Sequence, residues 1–267
     1  MLSFLEYTFF QNALTGVVLL SICSAIIGTF IITRRLVAIS GGITHACFGG
    51  LGLGYYLGVS PVLMAGVFAV GSSVGVEWLS SRFRLREDSA IAVVWGLGMA
   101  LGVLFVFLTP GYVPELNAFL FGNILTVSRH DLVAIGIYTA ILALFFLWQG
   151  KNIVAVAFDR DFATVCGLPV KLISYTMTVF VAIAIVLTIR LAGIMMLMSM
   201  LSLPIITAEI FCKRYFTVMW GAMGVSLVTS LAGLWLSTII DVPCSALIVL
   251  LMVAVFGICR AVAAIKK

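Results

Sequence analysis

The chain has 267 residues, of which 63% are hydrophobic and only 9% are charged. Soluble domains carry about 25% charged and about 45–50% apolar residues, so the composition excludes a water-soluble enzyme, a disordered chain and a disulfide scaffold. The net charge of +5 does not indicate nucleic-acid binding, because the basic residues are distributed as membrane topology requires. The composition therefore predicts an all-α polytopic membrane protein.

Nine apolar stretches are long enough to cross a bilayer, which takes about 20 helical residues. The stretches cover residues 12–33, 37–58, 62–81, 89–108, 131–149, 171–190, 193–212, 216–237 and 244–259. The second stretch is rich in glycine and reads as broken, so eight continuous spans is the alternative count. Either count predicts a single transmembrane permease-like domain over residues 1–267.

The basic residues predict the orientation of the chain, because Lys and Arg collect on the cytoplasmic side of a membrane. With the N-terminus outside, all but two of the 15 basic residues lie inside, the exceptions being Arg129 and Arg190. We therefore expect an extracytoplasmic N-terminus and a cytoplasmic C-terminus. Residues 109–130 are then an outer loop with a short helix, and residues 150–170 lie inside.

The second stretch combines glycines with a histidine. This density of glycine lets backbones approach closely or lets a helix break, and we predict a break among Gly41, Gly42, Gly49 and Gly50. His45 is the only histidine inside a predicted span. It either bonds a neighbouring carbonyl or lines a polar path, where a neutral imidazole can ligate zinc and similar metals.

The inner segment 151–171 contains a second distinctive pattern. Asp159, Arg160 and Asp161 precede a short amphipathic run, and Gly167 ends that run just before Pro169. The pattern resembles a short helix lying at the cytoplasmic surface, although composition alone favours an ordinary charged loop.

Two further residues are unusual for their positions. Pro204 lies in the middle of the seventh stretch and is predicted to kink or break its helix. Asp241 lies at the outer mouth between the last two spans, where it either attracts cations or acts as a loop acid or helix cap. The sequence has no GxxxxGK[ST] motif for ATP and no HExxH motif, so no catalytic set is visible.

The ordered landmarks of the chain resemble a known family, the ABC-3 metal permeases of bacterial ABC importers for zinc, manganese and iron. The matching segments are FFQNALTGVVL, RRLVAISGGITHACFGGLGLG, LFGNIL, DRDFATVCGLPV, AGIMMLMSMLSLPIITA and GLWLSTIIDVPCSALIVLL. Together they cover nearly the whole chain.

The resemblance implies the type II ABC importer permease fold in the bacterial cytoplasmic (inner) membrane. It implies a homodimer with one pathway between the copies, cytoplasmic ATPase subunits that bind the ATP, and an extracytoplasmic metal-binding protein. This chain itself is expected to bind no cofactor and no nucleic acid. The alternative is a self-contained secondary carrier or channel for a small solute, although such carriers usually show two similar halves, which this sequence lacks.

The resemblance also implies roles for individual residues. Segment 158–169 would couple to the ATPase, through the apolar residues Phe162, Val165 and Leu168, the polar residues Asp159, Arg160 and Asp161, and the helix-ending Gly167. Segment 113–128 would form the outer gate with the dimer mate, and the gate residues are Glu115, Phe121, Asn123 and His130.

The expected metal-contacting residues are His45 and Asp241. Many family members carry an aspartate four residues before the histidine, whereas this chain has Gly41 there. Carboxylates suit hard and borderline dications, so the loss of this acid leaves the identity of the metal open.

Overall fold

The computed structural model describes residues 7–83, 85–110, 122, 124, 127–240 and 242–265. Within these ranges the chain forms nine helices. They are α1 (Thr8–Thr33), α2 (Val37–Leu57), α3 (Pro61–Phe83), α4 (Glu87–Leu108), α5 (Arg129–Phe158), α6 (Arg160–Val165), α7 (Val170–Phe211), α8 (Tyr215–Ile240) and α9 (Cys244–Ile265). A helix pairs its backbone polar groups within one segment, which is what lipid requires of a spanning element.

Every described helix except α6 is long and apolar enough to cross a membrane, which makes eight candidate spans. Helix α7 has 42 residues and would be about 63 Å long at 1.5 Å per residue, roughly twice the thickness of a hydrocarbon core. Its backbone is non-helical at Gly193, with φ 79° and ψ 169°, a conformation that essentially only glycine adopts. The two halves of α7 coincide with the sixth and seventh predicted stretches, so the prediction of eight or nine spans is confirmed.

The predicted helix breaks are wrong. Helix α2 runs without interruption from Val37 to Leu57, so Gly41, Gly42, Gly49 and Gly50 do not break it. The backbone also has no break at Pro204, and the break in α7 falls at Gly193. The other outcome expected at Pro204, a kink, stays a prediction. A proline removes one backbone hydrogen bond, and a membrane helix tolerates that loss when its neighbours compensate.

The glycines of α2 serve the other purpose that the sequence left open, which is close helix packing. A Cβ on Gly49 would lie 2.8 Å from the carbonyl oxygen of Gly98 in α4. On Gly50 it would overlap the backbone of Met64 in α3. Helix α2 is therefore packed against α3 and α4 at nearly backbone-to-backbone distance, as small residues permit between membrane helices.

The contacts between Cα atoms divide the chain into two compact units. The first unit comprises the described residues of 1–32, 117–147 and 187–267, and the second comprises those of 33–116 and 148–186. The first unit has an apolar core drawn from α1, α5, α7, α8 and α9, in which Leu20, Ile135, Met200, Leu234 and Ile248 are almost completely buried. The second unit contains α2, α3, α4 and α6.

Candidate functional site

The short segment that the sequence singled out is the helix α6, so the alternative of an ordinary charged loop is wrong. Asp159 is its N-cap residue, and one carboxylate oxygen accepts hydrogen bonds from the backbone N–H groups of Asp161 at 3.0 Å and Phe162 at 2.9 Å. Aspartate is favoured at this position because it pairs N–H groups that the first turn leaves without partners.

Gly167 terminates α6, as the sequence predicts. Gly167 has φ +74°, and its N–H donates to the carbonyl of Thr164 at 3.0 Å, while the N–H of Leu168 donates to Ala163 at 3.1 Å. These two bonds form a Schellman motif, which needs a residue in the left-handed region at the position of Gly167. The six-residue helix is thus fixed at both ends.

The surface of α6 is amphipathic. Phe162 is 61% exposed and Val165 is 86% exposed, whereas Ala163 is fully buried within the second unit. Asp159 and Asp161 are exposed and Leu168 is half-buried. Two large apolar side chains beside two exposed carboxylates make a surface suited to docking a partner protein.

Arg160 forms ion pairs within the chain. Its Nη2 atom lies 2.7 Å from Oε1 of Glu77 in α3, and its Nη1 atom lies 3.1 Å from Oε1 of Glu87 in α4. Arg34 closes the arrangement, at 2.6 Å from Glu87 and 3.8 Å from Glu77. We call these four residues the charge ring. The guanidinium of Arg160 is thus paired within the chain, and the polar contact predicted for it with a partner stays a prediction.

Two of the four side chains in the charge ring are well shielded from solvent. The side chain of Arg34 is 4% exposed and that of Glu77 is 10% exposed. Burial lowers the pKa of the Arg34 guanidinium, and Glu87 opposes that shift most strongly. Removing one partner from a buried ion pair costs about 3–5 kcal/mol, because the other charge is left uncompensated.

Sequence reasoning missed Arg34, Glu77 and Glu87. One signal was present, since Glu77 is the only charged residue inside the predicted third stretch. A charge within a span is expensive and normally has a partner or a function. The sequence alone could not supply the partner, because Arg160 is 83 residues away along the chain.

His45 lies in α2, where its ring stacks in parallel on the indole of Trp95 in α4. The ring centroids are 4.7 Å apart and the planes differ by 2°. His45 is partly exposed. No group of three or more His, Cys, Asp or Glu residues within the described ranges could hold a metal ion, so any contact between His45 and a metal would be made without a closed ligand set.

The predicted gate and its surroundings are described only in part. Glu115, Phe121, Asn123 and Asp241 lie outside the described residues, whereas His130 is exposed in the first turn of α5. Beside it, Asp131 pairs with Nε of Arg190 at 2.8 Å. Asp131 also exchanges hydrogen bonds with Ser128, at 2.6 Å to the Ser128 hydroxyl and 3.2 Å from the Asp131 N–H, a reciprocal cap that fixes the start of α5.

The break in α7 has a neighbour that the sequence did not reveal. Gly122, with φ +55°, lies so close to Ala192 and Gly193 that a Cβ would overlap their backbone. The backbone of Gly122 therefore packs directly on the interrupted turn of α7. Ile124 is completely buried in the same unit.

These helices define a multi-pass α-helical membrane protein with a short capped helix between two of its spans. The chain belongs to the ABC 3 transport family, whose model matches residues 6–263. The resemblance in the sequence is thereby confirmed, and the chain is a permease-type transport component.

Known relatives match over nearly the full length. The chain is 30% identical to a probable iron transport system membrane protein of Haemophilus influenzae, with 98% of this chain and 96% of that protein covered. It is 31% identical to the manganese transport system membrane protein MntC of Halalkalibacterium halodurans, covering 95% and 87%. In a solved structure of PsaBC from Streptococcus pneumoniae in complex with Fab, the matching chain is 25% identical with a TM-score of 0.82, covering 95% of this chain and 91% of that one.

Proposed function

We propose that this chain is the membrane-spanning subunit of an ATP-driven importer for a divalent transition metal ion, namely zinc, manganese or iron. Membership of the ABC 3 transport family and relatives named for manganese and iron transport support this proposal. The protein works in the bacterial inner membrane as a homodimer, with its N-terminus outside and its C-terminus in the cytoplasm. Residues 1–267 form one transport domain.

The observation that carries the proposal is the exposed, doubly capped helix α6. A helix of six residues is unstable by itself, yet this one is fixed by Asp159 at its start and by Gly167 at its end. Phe162 and Val165 project from it into solvent. A separate cytoplasmic ATPase subunit docks on this surface, binds the ATP and drives the transport cycle, so this chain needs no nucleotide site.

The pathway lies between the two copies of the chain, and an extracytoplasmic metal-binding protein delivers the metal to its outer mouth. Asp241 attracts the cation there, and Glu115, Phe121, Asn123 and His130 form the gate. His45 contacts the ion in transit. A single imidazole suits this role, because an importer must release its cargo, whereas four closed ligands would retain it.

A strain of the native host that lacks this chain tests the proposal. Uptake of radioactive Mn²⁺, Zn²⁺ and Fe²⁺ is measured in the strain before and after the chain is restored. We expect restored uptake of at least one of these metals, which stops when cellular ATP is depleted and continues when the proton gradient is collapsed. Uptake that follows the proton gradient instead would support the alternative, a self-contained secondary carrier.

A further inference from the structure

The charge ring joins three helices and the turn that follows α1. Arg34 follows α1, Glu77 lies near the end of α3, Glu87 begins α4 and Arg160 begins α6. All four residues belong to the second unit. Positive and negative side chains alternate around the ring, so its net charge is zero and each charge has two oppositely charged neighbours.

We propose that the charge ring passes a displacement of α6 on to α3 and α4, with Arg160 as the positioning residue. This inference rests on the proposed function, because α6 is displaced only if an ATPase docks on it. It assigns the guanidinium of Arg160 to contacts within the chain, and it leaves Phe162, Val165 and the two exposed carboxylates to contact the partner.

The guanidinium of Arg160 bonds side chains from three other helices. One terminal nitrogen bonds Glu77 in α3 at 2.7 Å and the hydroxyl of Ser174 in α7 at 2.9 Å, while the other reaches Glu87 in α4 at 3.1 Å. A guanidinium is planar and rigid, so it fixes the directions of all its partners at once, which an ammonium group does not. A shift of α6 must therefore either move α3 and α4 or break several charge-assisted hydrogen bonds.

Stability alone does not account for four charges in this place. Apolar residues of similar volume often stabilise a protein as well as a buried ion pair does, or better. Directed hydrogen bonds in the ring also fix the orientation of the helices that carry its residues. Only one residue, Asp159, separates the end of α5 from the start of α6. Arg160, the first residue of α6, therefore lies at the junction of these two helices.

The test compares two double variants in the complete transporter with its ATPase. Arg160→Gln with Glu77→Gln removes one positive and one negative charge and leaves Arg34 and Glu87 paired at 2.6 Å, so no charge of the ring is left without an opposite charge. The matched control is Arg86→Gln with Asp88→Asn, which removes the same charges from exposed positions beside the ring. Arg160→Lys is the third variant, because it keeps the charge and removes the planar fork.

The first readout is the number of metal ions taken up per ATP hydrolysed in proteoliposomes. We expect this ratio to fall by about tenfold or more in the Arg160–Glu77 double variant, by less in Arg160→Lys, and not in the control, because directed hydrogen bonds to charged groups are lost only in the first two. An unchanged ratio in the double variant overturns the inference. If that variant does not fold, an unchanged ratio in Arg160→Lys overturns it.

The second readout does not depend on the proposed function. A nitroxide spin label is attached to Cys166, which is exposed at the end of α6, in the full chain with its other cysteines replaced. We expect the label to become more mobile in the double variant and in Arg160→Lys, and to remain unchanged in the control. Unchanged mobility overturns the inference even if no ATP-driven uptake is found, whereas increased mobility without uptake contradicts only the proposed function.

Discussion

His45 makes a contact that the sequence did not predict. The sequence offered a carbonyl-bonded histidine or a histidine on a polar path, and the structure shows the imidazole stacked on Trp95. Stacking covers one face of the imidazole ring with the indole and leaves the two nitrogens at the edge of the ring uncovered by it. A ring oriented in this way keeps the capacity to offer a nitrogen to a passing cation.

Replacing His45 with Gln is expected to lower metal uptake by about tenfold or more, because it removes a strong nitrogen ligand. Thermal stability in detergent is expected to change little. The matched variant Trp95→Leu removes the stacking partner and keeps the imidazole, so it should retain most of the uptake. Equal losses of stability in both variants, with uptake unchanged in His45→Gln, would assign His45 to packing.

Gly167 is required for its backbone conformation and not for space around its Cα atom. A Cβ on Gly167 would meet nothing within 4 Å, yet its φ is +74°, and the left-handed region costs an L-residue about 1–2 kcal/mol. Gly167→Val is therefore expected to loosen the end of α6 and to lower the uptake per ATP hydrolysed. Cys166→Val is the control, because Cys166 is exposed and has φ −73°. Full coupling in Gly167→Val would contradict the role given to this end of α6.

At the scale of the elements, hydropathy and turn residues predicted where the helices lie, and they did so because lipid leaves few alternatives to a helix. The interruptions were predicted less well. The glycines of α2 serve packing and Pro204 is accommodated, whereas the break falls at Gly193. A glycine's role depends on what lies beside it, and a single sequence does not contain that information. The charge ring was missed for the same reason.

The packing role of the α2 glycines is tested by Gly52→Ala. A Cβ there would lie 2.6 Å from the carbonyl oxygen of Gly102 and 3.1 Å from its Cα, so two backbones must separate. We expect a loss of about 1–3 kcal/mol of stability, as for other overpacked sites, seen as a lower melting temperature in detergent. Gly71→Ala is the control, since a Cβ on Gly71 meets nothing within 4 Å. Equal melting temperatures for the two variants would contradict the packing role.

The whole chain is expected to have one orientation in the membrane. Cys166, the exposed cysteine at the end of α6, is placed in the cytoplasm, and His130, which is exposed at the start of α5, is placed outside. In intact cells a membrane-impermeant maleimide should label a single-cysteine His130→Cys variant and should leave a chain with only Cys166 unlabelled. Permeabilised cells should label both. Labelling of Cys166 in intact cells would invert the proposed orientation.

We expect this chain to import a divalent transition metal only when an ATPase acts on α6. The most direct measurement uses purified chain and ATPase in proteoliposomes, with ATP supplied on the ATPase side and radioactive Mn²⁺, Zn²⁺ or Fe²⁺ with its binding protein on the other. The account predicts uptake of one of these metals with ATP and none with a non-hydrolysable analogue. It also predicts no uptake when Val165, which is 86% exposed on α6, is replaced by Asp, because a charge would then face the apolar docking surface. Uptake by the chain without the ATPase, or undiminished uptake in Val165→Asp, would contradict the account.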